Sequence, residues 1–196
     1  MQTNNLSMPA LVFALVVGLG LTAASAQAAV LAVNLADTNV SSGTISDGTN
    51  TVTFAFDQQQ PSGTGVLDPF LRVQDNGTEQ GYNSTQANQG ALPFDEKFGI
   101  WTHDLAFSAL QAIGGYYNFV LDIGEPVSDV QGALQSLLSL DGLKLYVTDT
   151  PGQNSSSVDL NGDASGILGT LLWDMDALTD NYVLLDANRE GKPGNG

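Results

Sequence analysis

Four groups of residues in this sequence have types and spacings that could do chemistry. His103 is the only histidine, so any serine–histidine–aspartate scheme has to use it. Asp104 follows it directly, and neighbouring strand residues face opposite ways, which leaves Asp104 badly placed to orient the ring. No G-x-S-x-G elbow is present either, so a hydrogen-bonded histidine at the edge of a core is the better reading. Asp95-Glu96 and Asp174-Met175-Asp176 are close carboxylate pairs of the kind a glycosidase needs. On a strand Asp174 and Asp176 share a face at about 7 Å, yet any acidic strand end has this pattern.

Asp159-Leu160-Asn161-Gly162-Asp163 matches the opening of an oxygen-lined calcium loop, and Asp159, Asn161 and Asp163 are the candidate metal ligands. The match then fails. Ala164 stands where the loop needs glycine and Thr170 where it needs a bidentate glutamate, so this is not an EF-hand. Calcium is the one cofactor the sequence suggests. The aromatics form the fourth group. Trp101 and Tyr117 fall in core phase on their strands, whereas Tyr82 and Tyr116 read as exposed and able to stack on a sugar. Glu79, Gln80, Tyr82, Asn83 and Tyr116 are therefore the candidate ligand-binding residues, the first four in a polar loop expected from Glu79 to Leu92.

Composition narrows what these groups can serve. The chain has 196 residues, with 21 acidic against 5 basic side chains and a formal charge of −16. Such a surface repels phosphate backbones and anionic lipid, which argues against nucleic acid and membrane partners. Seventeen of the acids are aspartate, suited to turns and hard-cation loops more than to helix surfaces. Cysteine is absent, which removes disulfides, thiolate metal sites and thiol nucleophiles.

The N-terminus reads as a secretory leader. An apolar run from Met8 to Thr22 precedes small residues, with Ala24-Ser25-Ala26 as the expected cleavage site. At about 15 residues the run falls short of the ~20 a spanning helix needs. The expected organisation is a leader over 1–26, a β-domain over 27–187 and a flexible tail over 188–196, with no stable membrane span after cleavage.

The elements that must position the candidate residues are strands. Thr51–Phe56 and Tyr116–Ile123 alternate apolar with polar residues, the latter most cleanly. Val30–Leu35, Phe70–Gln74, Trp101–Ala109, Leu143–Val147, Ile167–Met175 and Asn181–Asp186 also read as strands, and Asp37–Asn50 and Asp149–Gly166 as turn-rich connectors. A short helix fits Ser128–Leu140. The pattern predicts an all-β fold, a single antiparallel β-sandwich of jelly-roll type with at most one short helix; a closed barrel is the runner-up.

The strings GTGVLDPFLRVQDNGTEQGYNS (63–84), FDEK (94–97), THDL (102–105), FVLDIGEP (119–126), SLLSLDGLKLYV (136–147) and GTLLWDMDAL (169–178), in this order, resemble an uncharacterised group of bacterial secreted proteins that carry a PEP-CTERM sorting signal. The resemblance implies export, exosortase-type sorting and a place at the cell surface or in an exopolysaccharide matrix, and it brings no catalytic residues. The Pro-Glu-Pro motif, apolar helix and basic tail of that signal are missing before Gly196, so a truncated C-terminus is expected. The expected function is that of a secreted, non-enzymatic structural or adhesive protein whose partners are extracellular polysaccharide or other matrix proteins. The alternatives are a carbohydrate-binding module and a small glycoside hydrolase using Asp174 and Asp176.

Overall fold

The computed structural model describes the backbone of residues 12–19 and, with side chains, residues 30–57, 67–75, 77–84, 94–97, 99–123, 136–153, 155, 157–160 and 162–189, of which Asn188 has its backbone alone described. The fold is all-β. Its strands are β1 (Val12–Leu19), β2 (Val30–Asn34), β3 (Ser42–Ser46), β4 (Thr51–Ala55), β5 (Glu79–Tyr82), β6 (Leu105–Ala106), β7 (Ala112–Ile113), β8 (Tyr116–Tyr117), β9 (Leu137–Leu140), β10 (Gly142–Thr148), β11 (Thr170–Asp174) and β12 (Asn181–Asp186). Among the described residues one α-turn, Ser165–Leu168, precedes β11, and 3-10 turns cover Phe107–Ala109 and Ala187–Arg189.

The larger sheet runs β11-β10-β1-β5, with β6 also pairing β1. A second sheet runs β2-β12-β9, and β3-β4 and β7-β8 are separate hairpins. Among the described residues every ladder is antiparallel except β2 on β12, where Val30 faces Asn181 and Asn34 faces Leu184 in parallel register. That pair departs from the all-antiparallel expectation.

One core cluster draws Val33, Leu35, Ile45, Leu140, Trp173, Met175 and Val183 from both large sheets and from β3. The other joins Tyr82 and Tyr146 to Val158, Leu160, Ala164 and Leu168. Burial of large side chains at these positions supplies the main drive for folding. Trp173 lies at the centre of the first cluster, its ring 6.2 Å from that of Phe54, and its indole N–H has no partner.

Several sequence expectations change. Thr51–Ala55 alternates as expected, with Val52 and Phe54 half-buried and the threonines exposed. Its partner β3 lies inside the expected connector, where small polar residues hide the strand. Gly43 is needed there because a Cβ would sit 2.7 Å from Val33 Cγ2. The turn between the strands is closed by Asp47, whose Oδ1 accepts from Thr49 N at 2.7 Å and Asn50 N at 2.6 Å.

Phe70–Gln74 forms only an isolated bridge, Val73 to Glu96, and Trp101–Ala109 keeps strand form only at Leu105–Ala106. Leu137–Leu140 is a strand rather than the end of a helix; residues 128–135 lie outside the described residues. The expected connector 149–166 contributes Val158, Leu160 and Ala164 to a core. Within the expected tail, Arg189 donates through its guanidinium to the carbonyls of Leu35, Asp37 and Val40 and lies 4.3 Å from the Phe56 ring centre. The apolar stretch read as a leader supplies β1, the middle strand of the larger sheet.

Candidate functional site

Lys144 links two of the candidate groups. Strand β10 alternates so that Lys144 and Tyr146 share its buried face. The Lys144 ammonium, on a side chain 8% exposed, lies 3.4 Å from Asp174 Oδ2 on the neighbouring strand β11. It also donates to the carbonyl of Gly162 at 2.6 Å, inside the loop that resembled a calcium site. An ammonium therefore sits between the two acidic motifs.

Each acid around it also has a structural duty. Asp174 Oδ1 accepts from Asp176 N at 2.9 Å, and Asp176 Oδ1 accepts from Asn181 N at 2.8 Å. Asn181 is itself buried and donates through its amide to Met175 O and Thr179 O. The chain thus reverses from β11 to β12 around carboxylates. Asp176 is pushed up to about 6 by burial, with the charges of Asp174 and Asp180 adding to the effect and the Asn181 amide and Lys144 opposing it.

Asp163 Oδ1 accepts from Ser165 N at 2.8 Å, and its bonds to Ser165, helped by Lys144, hold its carboxyl below the usual value. The Asp159 carboxylate folds over Gly162, where a Cβ would stand 2.5 Å from Oδ2. Tyr146 is fully buried and its hydroxyl accepts from Ala164 N at 3.1 Å; burial raises its pKa. Among the metal candidates, Asp159 and Asp163 are exposed, and Asn161 lies outside the described residues. Among the described residues no three acids or histidines gather into a metal-holding group.

Asp95 and Glu96 bind backbone amides. Asp95 Oδ2 accepts from Gln80 N, and Glu96 accepts from Tyr82 N and Phe94 N, each at 2.9 Å. The two carboxylates serve the edge of β5 that β1 does not cover, where Asp95 N also donates to Gln80 O at 3.1 Å. Glu96 is buried, which raises its pKa against the lowering effect of these amides. Gly81 makes room for it, since a Cβ there would lie 2.7 Å from Glu96 Cγ.

Glu79, Gln80 and Tyr82 belong to β5, and Tyr82 and Asn83 are buried. The Tyr82 hydroxyl accepts from Ser155 N at 2.7 Å and its ring packs edge-on to Phe94 at 6.1 Å. Glu79 Oε1 accepts from Asp75 N at 3.0 Å and closes the preceding turn. Residues 85–93 lie outside the described residues. No exposed binding loop exists at 79–84.

His103 is half-buried, with Nδ1 2.8 Å from the Asp104 carbonyl, while the Asp104 carboxylate accepts from Gly152 N at 2.9 Å. These bonds tie two loops together and do not build a triad. Trp101 is half-buried with the Arg72 guanidinium 5.8 Å above its ring, so it is not the core residue its phase suggested.

Tyr116 alone of the expected binding residues is exposed, at 70%. It belongs to the β7–β8 hairpin, which turns through Gly114 and Gly115 at positive φ. Ile113, Tyr117, Phe119, Val120 and Leu121 are exposed with it, and Phe107 packs edge-on to Tyr117 at 5.5 Å. The most regular alternation in the sequence therefore lies on the surface. Sequence reasoning missed both this apolar face and the role of Lys144. The signal for Lys144 was present: it is a lone base in phase with Tyr146 on a strand that carries no other charge.

No protein-family model, curated protein or solved structure matches the chain. No helix among the described residues is long and apolar enough to cross a membrane.

Proposed function

We propose that this is a secreted, non-enzymatic structural or adhesive protein of the bacterial envelope or exopolysaccharide matrix, holding its partner through the β7–β8 face. The observation that carries this reading is the exposure of six large apolar side chains, Ile113, Tyr116, Tyr117, Phe119, Val120 and Leu121, within nine consecutive residues. Exposed apolar groups that cluster in this way mark interaction surfaces. The acids read as catalytic candidates, by contrast, are engaged in holding turns and strand edges. The core shared by the two large sheets is read as the interior of a β-sandwich.

Export and matrix residence rest on the leader-like N-terminus and on the resemblance to PEP-CTERM proteins. Calcium remains the cofactor to test. In this reading Lys144 supplies the cation for the Asp159–Asp163 loop, so calcium and EDTA should give the same melting midpoint; a rise of several degrees with calcium would restore a metal site.

The second reading, a carbohydrate-binding module, is favoured by Tyr116, whose side chain is exposed on the hairpin. Retention of the purified chain on immobilised polysaccharides and on matrix-protein fractions separates the two. Saturable retention on one defined polysaccharide, lost in Tyr116→Ala, selects the carbohydrate module. Retention that ignores changes at Ile113 and Tyr116 removes the hairpin from either reading. Polysaccharide hydrolysis that disappears in Asp174→Asn would sink the non-enzymatic reading.

A further inference from the structure

We propose that the space between β10 on one side and β5 with β6 on the other is a strand-acceptor site. Its ligand is one extended, uncharged, apolar segment. In the full chain that segment is Val12–Leu19, and once the leader is removed the site takes a segment of the same character from a partner chain. Only this last step rests on the leader reading.

The register defines both walls. Along β10, Val12 faces Thr148 and Gly18 faces Gly142, antiparallel throughout. The opposite wall is made of two short pieces: Val16–Leu19 lie against Tyr82–Glu79, and Val12–Phe13 against Ala106–Leu105. Since β10 and β5 each run antiparallel to β1, they are parallel to one another. They stand two strand spacings apart, about 9.6 Å. Closing that gap directly would require a parallel ladder between strands of unequal length, whereas one inserted strand satisfies both edges.

The two walls also meet away from β1. Tyr82 from one wall and Tyr146 from the other lie in a single buried cluster with Val158, Leu160, Ala164 and Leu168. The Tyr82 hydroxyl is bonded to Ser155 and that of Tyr146 to Ala164, so the same loop, running from β10 to β11, holds both tyrosines. The walls are joined through this cluster. Without an occupant, two rows of backbone donors and acceptors would face each other unpaired, the condition that drives strand addition. The sequence VFALVVGL carries no charge and is rich in strand-forming residues, which suits an apolar site.

The first test needs no processing. The chain has no cysteine, so introduced pairs are the only thiols. Val17→Cys with Leu143→Cys, and separately Val12→Cys with Thr148→Cys, should form intrachain disulfides in the full-length chain under mild oxidation. The offset pair Val17→Cys with Leu145→Cys should not, since diagonal positions are too far apart for a bridge. Equal cross-linking of matched and offset pairs, or none in either matched pair, overturns the seating of β1.

The second test places a site-specific protease sequence over residues 24–28 of the full chain, cuts it, and refolds it from urea with a lysine-tagged fluorescent peptide of Val12–Leu19. The peptide should bind, and a Val16→Pro peptide, which lacks one ladder donor, should bind at least ten-fold more weakly. Equal binding of the two peptides, or no binding by either, overturns the acceptor site. A dimer of cut chains that excess peptide does not dissolve overturns the assignment to a partner strand, because a second copy then fills the space. These outcomes do not depend on export or on the hairpin, so failure here leaves the proposed function standing and failure there leaves this site standing.

Discussion

The Lys144 centre and the β7–β8 hairpin invert what their sequences suggest. Around Lys144 the chain places acids, an amide and a tyrosine, the materials of an active site, and uses them to bind an ammonium, four backbone amides and two carbonyls. On the hairpin it places the cleanest apolar alternation in the sequence, the material of a core strand, and leaves it facing solvent. Polar side chains that are fully engaged stabilise; apolar side chains that are not buried are available to a partner. The two regions should therefore respond to mutation in opposite ways, the first in stability and the second in binding.

Lys144→Met tests the first half hardest. It leaves Asp174 facing a half-buried space without its cation and removes the donor to Gly162 O, so the expected cost is ~3 kcal/mol. For a chain of this size that is a fall of roughly 6–12 °C in melting midpoint. Lys144→Met combined with Asp174→Asn should recover part of the loss, because the uncompensated charge is gone. A single variant that melts with the wild type would mean that the ion pair is a surface contact, and the contrast between the two regions would collapse.

Gly81→Ala extends the comparison to the other carboxylate pair. A Cβ at 2.7 Å from Glu96 Cγ must push aside a side chain whose oxygens hold Tyr82 N and Phe94 N. Overpacking of this kind costs about 1–3 kcal/mol. Denaturant unfolding of Gly81→Ala measures it, and an unchanged midpoint would show that Glu96 swings away freely and is no edge cap.

How far the sequence foretold these regions depends on the range of the interactions. Local pattern identified β2, β4, β10 and β12, because each alternates or runs apolar over five or more residues. It failed at β3, where Ser42, Gly43 and Thr44 carry no apolar signal and the strand exists through its ladder with β4. It also failed at Glu79–Tyr82, whose polar composition reads as loop but whose backbone is claimed by β1 and by the carboxylates of Asp95 and Glu96. The candidate acids were visible as pairs. Their distant partners, a lysine thirty residues away from Asp174 and the amides of Gln80 and Tyr82 fourteen or more residues away from Asp95 and Glu96, were not.

The pH response sharpens the same centre at smaller amplitude. Asp176 is raised from 3.8 to about 6 in the folded chain, so the native state holds its proton more tightly than the unfolded state. Its contribution to stability is full below pH 3.8 and is lost as pH rises through about 6. Solvent around this half-buried group screens the effect to ~1 kcal/mol. Glu96 is shifted the same way and adds to the slope, so the informative quantity is the difference between the wild type and Asp176→Asn. The variant keeps an acceptor for Asn181 N and should melt a few degrees higher at pH 7, with little difference at pH 4. A constant offset between pH 4 and 7 would mean that Asp176 ionises in the folded chain as freely as in the unfolded one.

The hairpin gives the smallest effect on stability and the most specific one on function. Tyr116 and Ile113 are 70% and 68% exposed, so Tyr116→Ala and Ile113→Ser each remove little buried area. Surface changes of this kind stay within about 0.5 kcal/mol. If the face exists to hold a partner, the double variant should melt with the wild type and still lose retention on the matrix fraction or polysaccharide that retains the wild type, by ten-fold or more. An exposed aromatic that stacks on a ligand loses most of its contact on truncation to alanine, whereas one that only shields its own hairpin loses stability instead. Unchanged retention with a lowered melting midpoint would make the hairpin a structural cap like the Lys144 centre, and the division of labour between the two regions would fall.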